Sequence, residues 1–333
     1  MDILTGLLIA LVGSIVSTAI YVAIVWRLDR YEKEPARMLV LAFLWGMLPA
    51  IIMSVILEVG LGGAEDGLLA NAGIVPIVEE SVKGLALLAF LVFSYRELDD
   101  VLDGIVYGAM IGFGFGFTEN VLYVTSGVAE KGLAMGIFIL ILRTVVFGLN
   151  HAFFTSMTGA GMGAARLTRR VPLRLIVMSI GWCCAVFFHS IHNLGTGLAE
   201  STDLGSLGIS ILSDWMGVLI LLAIVVLVWR KEQQWMTEEL VSEVDTGFLT
   251  AEEYTAVRTS GGRQRLLART LRRDGWAAYR RLGRLYDMFT HLAFKKRQVR
   301  LMGNEPGMER EIQHLRAAIL KEKGAQIAID QAG

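Results

Sequence analysis

Seven stretches of this chain, roughly 3 to 26, 38 to 58, 73 to 94, 104 to 127, 133 to 164, 174 to 196 and 207 to 229, read as spans of a bilayer. Each supplies the run of about 20 mostly apolar residues that crossing the hydrocarbon requires. Inside hydrocarbon every backbone N–H and C=O must be satisfied within the protein, so apolar runs without two-residue alternation have to be helices. The fold class that follows is all-α, a polytopic membrane helix bundle of about seven transmembrane helices. The chain's start, Met1-Asp2 and then apolar residues, lacks a basic leader and reads as an uncleaved first span.

Charge divides the chain into two materials. Residues 1–229 hold 12 of the 31 Lys and Arg and 18 of the 32 Asp and Glu, and the remainder fall in 230–333. The expected division is a membrane domain over 1–229 and a helical tail over 230–333. Basic residues set the orientation, because Lys and Arg collect in cytoplasmic loops. Arg27, Arg30, Lys33 and Arg37 follow the first span, Arg96 the third, Arg166, Arg169, Arg170 and Arg174 the fifth, and Arg230 and Lys231 the seventh. The intervening loops 59–72, 128–132 and 197–206 carry only Lys131. This places the N-terminus outside and the tail in the cytoplasm. Cys183 and Cys184 are adjacent in an apolar run and read as two small buried thiols rather than a disulfide or a metal site.

Ionisable residues interrupt the apolar runs, at a cost of at least ~2.5 to 3.5 kcal/mol for each ionised group at a helix centre. The third span carries Ile77-Val-Glu-Glu-Ser-Val-Lys-Gly84. Glu79 and Lys83 are four apart and Glu80 and Lys83 three apart, so on a helix the amine reaches either acid. The fourth span carries Gly112-Phe-Gly-Phe-Gly-Phe-Thr-Glu-Asn120, whose glycines admit a close neighbour. Arg143 and Phe147-Gly-Leu-Asn-His151 lie in the fifth span, Phe188-His-Ser-Ile-His-Asn193 in the sixth, and Asp214 opens the seventh. Arg143 and Asp214, close to span boundaries, read as interfacial.

Depth tests whether these groups can meet. At about 1.5 Å of rise per residue, Glu79 and Glu80 lie about 10 Å below the outer face, Glu119 about 12 Å, and His189 and Asn193 about 5 to 10 Å. His151 joins them, at about 15 Å, if crossing starts near 141 and 131–140 is interfacial or re-entrant. That arrangement also accounts for the excess length of the fifth stretch. Glu79, Glu80, Glu119, Asn120, His151, His189 and Asn193 then share one level of the outer leaflet.

These residue types suit hydrolysis. A desolvated glutamate acts as general base on water, and histidine hydrogen-bonds an oxyanion or ligates a metal. Two histidines and a carboxylate, His151, His189 and Glu119, also make a donor set for zinc with a position left for water. Glutamate-activated and zinc-activated water both stand open at this point. The His-Glu-x-x-His pattern of zincins is absent.

Taken in order on four successive spans, Glu79-Glu80-x-x-Lys83, Phe115-x-x-x-Glu119, Phe147-x-x-x-His151 and His189-x-x-x-Asn193 resemble the PrsW family of intramembrane proteases. The first loop, Asp29-Arg-Tyr-Glu-Lys-Glu-Pro35, is a further likeness. The resemblance covers about residues 20–200 and implies kinship with CAAX prenyl endopeptidases and with APH-1. It implies a multi-pass protein of a bacterial-type plasma membrane that cuts a single-span membrane protein of anti-sigma-factor type on its extracytoplasmic side. Glu79 and Glu80 would then supply the general base, and Glu119, His151, His189 and Asn193 the rest of the site, with Lys83, Asn120, Arg143 and His192 in support. The competing readings are a non-catalytic membrane scaffold or receptor and an ion-coupled transporter. The transporter lacks its expected paired repeats and matched broken helices.

The tail has no apolar run long enough to span. Its Leu, Tyr, Trp and Phe residues recur at near-helical spacing between Arg and Lys over 263–300. The reading is a helical cytoplasmic appendage, with a membrane-surface helix as second choice. No nucleic-acid partner is expected, since no recognition motif accompanies the charge. Gly303-Asn-Glu-Pro-Gly307 should interrupt the helices.

Overall fold

The computed structural model describes residues 3–29, 33–62, 67–94, 97–201, 204–303 and 307–330. Arg30, Tyr31 and Glu32 of the first-loop motif, Arg96, and Asn304 to Pro306 lie outside the described residues. Among the described residues there is no strand; the chain runs α1 (Ile3–Leu28), α2 (Ala36–Trp45), α3 (Ile51–Leu61), α4 (Val75–Phe93), α5 (Val101–Lys131), α6 (Leu133–Ile141), α7 (Asn150–Arg166), α8 (Val171–Ser201), α9 (Leu207–Asp245), α10 (Ala251–Val257), α11 (Ser260–Met302) and α12 (Met308–Asp330). π-helical turns join α2 to α3 (Gly46–Ala50), precede α4 (Ala70–Ile74) and follow α6 (Leu142–Val146).

Among the described residues, six helical runs are long and apolar enough to cross a membrane: Ile3–Leu28, Ala36–Leu61, Val101–Lys131, Leu133–Arg166, Val171–Ala199 and Leu207–Asp245. The expectation was about seven. The difference is the stretch 73–94, which is helical as α4 but carries Glu79, Glu80 and Lys83 within its 19 residues. Those three groups dilute its apolarity, and all three are buried.

Residues Met1–Asp29 and Glu34–Val225 form one compact unit, and Arg30–Lys33 with Val226–Gly333 a second. The first is organised around α5, which is apolar nearly all round and buried along most of its length, as a central helix must be. Asp100 starts it: its carboxylate accepts from the backbone N–H of Leu102 and Asp103, and Asp103 accepts in return from Asp99 and Asp100. This reciprocal cap satisfies donors that a helix start leaves orphaned. The first-loop Glu34 accepts a hydrogen bond from the Tyr107 hydroxyl on α5.

Glycines bring α5 and α7 together at backbone distance. A Cβ on Gly104 would lie 2.0 Å from the Gly159 carbonyl, one on Gly108 2.6 Å from the Thr155 carbonyl, and one on Gly112 2.2 Å from the His151 carbonyl. Each step of four along α5 is matched by a step of four back along α7, so the pair is a long antiparallel hairpin. Its turn is Gly132, at φ 85°.

Residues 133–141, the segment expected to be interfacial or re-entrant, are α-helix continuing into a π turn. The 31 residues of α5 already exceed the hydrocarbon thickness, at about 46 Å of rise, so both arms of the hairpin are long. Cys183 and Cys184 are free rather than both buried: Cys183 is exposed, and Cys184 is half-buried beside the buried Ala185.

The glycine contacts generate a stability prediction. Gly108→Val should lower the stability of the detergent-solubilised protein by about 1 to 3 kcal/mol, because its side chain must displace backbone. Gly60→Ala, where nothing lies within 4 Å, should leave thermal unfolding unchanged or slightly raised. Equal melting temperatures for the two variants would contradict the packing.

Candidate functional site

Three helices converge on Lys83. Its ammonium is wholly buried and donates to Glu79 Oε2 at 3.0 Å and Glu80 Oε1 at 2.9 Å. Both acids lie within one turn of Lys83 on α4, the spacing at which helical side chains meet. The same ammonium lies 3.3 Å from His151 Nδ1 on α7 and 3.7 Å from the centre of the Phe115 ring on α5. Four partners thus share the one cation, including an aromatic face of the kind that attracts a desolvated ammonium.

Glu80 is the most engaged of the acids. It accepts from Lys83, from the Thr155 hydroxyl at 3.1 Å and from His189 Nδ1 at 3.0 Å, and its side chain has no exposure. Glu79 has Lys83 as its hydrogen-bond partner, keeps 8% of its side chain exposed, and lies 3.7 Å from His189 Nε2. His189 stacks on Phe154, centroids 4.8 Å apart and planes within 15°. An ionised Glu80 can only accept, so His189 carries its proton on Nδ1 and presents Nε2 as an acceptor toward Glu79.

The same logic sets His151. Lys83 can only donate, which makes Nδ1 the acceptor and leaves Nε2–H for Glu119 Oε2, 2.5 Å away. Glu119 is shared with Arg143, which donates to it at 2.6 Å and to Asn120 Oδ1 at 2.7 Å, and whose guanidinium lies 4.3 Å from the Tyr123 ring centre. Arg143, which reads from sequence as interfacial, thus turns to an acid partner within the protein. It is carried by the π turn Leu142–Val146; such turns shift the face that a helix presents and are common at functional sites.

Two of the expected residues lie apart from this group. Asn193 donates to the backbone carbonyl of Asn71 at 2.9 Å, in the π turn that precedes α4. His192 Nδ1 meets Asp214 Oδ2 at 2.7 Å, both side chains buried, and Asn150 Nδ2 lies 3.4 Å from His192 Nε2. Asn150 Oδ1 in turn accepts from the His151 backbone N–H at 2.7 Å. Asp214, which reads from sequence as interfacial, is thus buried inside the protein with a histidine partner. Sequence reasoning missed Thr155, Asn150 and this role of Asp214. Thr155 was findable: it follows His151 by four residues and so shares its helix face.

Glu79, Glu80, His151 and His189 each offer an atom within 4.8 Å of the others, and their types suit zinc. The space between them is another matter. Ligand bonds to zinc are about 2.0 to 2.2 Å long, and three of these four side chains instead surround the Lys83 ammonium at 2.9 to 3.3 Å. With Lys83 in that position the residues do not fit a metal ion.

A polytopic helical bundle with paired carboxylates and imidazoles buried among its apolar helices has the side chains of a hydrolase operating inside a membrane. The chain belongs to the PrsW family: the sequence profile of the family described as PrsW family intramembrane metalloprotease matches residues 34–230. By that membership it is a membrane-embedded peptidase. It is 28% identical to the protease PrsW of Geobacillus kaustophilus over 173 residues, 50% of this chain and 69% of the relative. Against the protease PrsW of Bacillus subtilis it is 28% identical over 164 residues, 46% of this chain and 69% of the relative. Against that of Clostridioides difficile it is 30% identical over 137 residues, 38% and 57% of the two chains. No solved structure matches this chain.

The His192–Asp214 bond carries its own test. Asp214→Ala should cost about 1 to 3 kcal/mol by stranding a buried donor. A cycle of Asp214→Ala, His192→Ala and the double variant, read by unfolding, should show a coupling of about 0.5 to 3 kcal/mol. Strictly additive losses would mean that the pair does not interact.

Proposed function

We propose that this chain cuts a single-span membrane protein, of anti-sigma-factor type, by water activated at Glu79, in a domain formed by residues 1–229. The observation that carries the reading is the contrast between the two acids. Glu80 is saturated by Lys83, Thr155 and His189, whereas Glu79 keeps an exposed edge and faces an acceptor nitrogen 3.7 Å away. That separation is too long for a direct bond and suits a bridging water.

In this mechanism the water donates its two hydrogens toward Glu79 and His189 Nε2, leaving a lone pair for the peptide carbonyl carbon. As the C–O bond forms, Glu79 takes one proton. It returns that proton to the amide nitrogen as the C–N bond breaks, so acid and amine products leave with Glu79 ionised again. Glu80 holds His189 in one tautomer, and Lys83 holds both carboxylates at fixed distance. Asn193, whose amide donates to the Asn71 carbonyl apart from the cluster, takes no part in the step. Glu119, braced by Arg143, which Asn120 holds in turn, orients His151. No step is routed through a metal, since Lys83 stands where one would bind.

Orientation belongs to the same proposal: the basic loops support an outside N-terminus and a cytoplasmic tail, with the site in the outer half of a bacterial-type plasma membrane. The substrate class rests on the family.

Reconstituted with a panel of single-span host membrane proteins, the wild type should release cut products and Glu79→Gln should lose about 100-fold or more of the rate, the scale of a lost general base. Cleavage should persist after chelator treatment. Retained cleavage in Glu79→Gln would refute the assignment, and loss on chelation with return on added zinc would replace Glu79 by a metal.

A further inference from the structure

The second unit has an uneven distribution of charge pairing. Where its helices pack, acids and bases are matched: Glu243 accepts from Lys296 at 2.7 Å and Arg316 at 2.6 Å, Arg297 meets Glu238 at 2.9 Å, and Lys323 meets Glu253 at 2.8 Å. Arg263 pairs with Asp287, and Arg284 with Glu322 at 2.9 Å. Between those two pairs the pattern stops. Residues 264–283 contain six arginines and one acid, Asp274, which is bonded by its neighbour Arg273. Arg269, Arg272 and Arg280 are exposed, Arg281 is half-buried, and none of the four makes an ion pair among the described residues.

The same segment exposes apolar side chains. α11 breaks at Gly275, whose φ of 81° and ψ of −176° no helix allows, and Trp276 immediately follows the break. Trp276 is 60% exposed and stacks on Tyr279 with ring centroids 5.0 Å apart; Leu271, before the break, is 40% exposed. Gly275 takes a backbone conformation that costs an L side chain but not glycine. A bent corner therefore presents indole and leucine among unpaired guanidinium groups.

We propose that this corner, Arg269 to Arg281, docks on the anionic headgroups of the bilayer in which the chain is embedded. Charge complementarity selects that occupant. Guanidinium pairs bidentately with phosphate, and juxtamembrane arginines are drawn to anionic leaflets. The indole, amphipathic and half apolar, sits at the headgroup level. The tail is covalently continuous with the apolar helix α9, so membrane is always within reach and even a weak surface affinity is expressed. The inference is independent of the proposed catalytic route.

The test uses the full chain in vesicles of brominated phosphatidylcholine, alone or with a quarter of phosphatidylglycerol. Trp276 emission is taken as wild type minus Trp276→Phe. Quenching should be at least about twofold stronger with the anionic lipid. It should fall to the neutral-lipid level in about 1 M salt, where the screening length is about 3 Å. It should fall equally in R269Q/R272Q/R280Q/R281Q, whose melting temperature should match the wild type because those side chains make no internal ion pair. Equal quenching in both lipids, or none in either, overturns the proposal.

Discussion

One buried ammonium holds this fold's interior together. Lys83 sits among Glu79 and Glu80 of its own helix α4, His151 of α7 and the Phe115 ring of α5, so three helices meet at it. Remove the cation and two carboxylates are left with no counter-charge in a medium that does not solvate them, a loss of the kind that costs several kcal/mol. The rest of the first unit serves this constraint. Glycines on α5 let α7 approach to backbone contact, which puts His151 and Thr155 within reach of α4. The Glu119–Arg143–Asn120 group closes the other side of His151. A neutral arrangement of apolar side chains would be cheaper, so the retained charges point to chemistry rather than to packing.

The sharing of Lys83 also gives the two adjacent glutamates different roles. They are neighbours in sequence, yet a helix turns about 100° between them, and the environments diverge: Glu80 is enclosed by Thr155 and His189, while Glu79 keeps an edge open. Two like groups with unlike surroundings are the usual basis for dividing positioning from proton transfer.

Much of this was legible from residue spacing. The helical character of every membrane segment follows from apolar length, and the meeting of Lys83 with both acids from spacings of three and four. Glu119, His151 and His189 were reachable from depth alone. Depth was a poor guide to direction, though. Asn193, grouped with the others by depth, turns instead to the carbonyl of Asn71 in a π turn. The extra length before His151 reads from sequence as an interfacial or re-entrant segment; it is helical and belongs to the arm of a hairpin whose register is set by glycines spaced four apart, a long-range pairing that no local pattern announces. Asp214 shows the limit of counting from span ends: a charge one turn or two inside a helix start can be buried by an unrelated helix, as His192 does here.

The most direct test of the account is a single turnover in water enriched in oxygen-18, with a cleaved single-span substrate analysed by mass spectrometry. If a free water activated beside Glu79 is the nucleophile, the new substrate carboxyl group carries the label, the enzyme carries none, and the cut falls in the outer half of the span. Label in the carboxyl group of Glu79 or Glu80 would instead mean a covalent acyl-enzyme, and would contradict the reading of this cluster as a water-activating site.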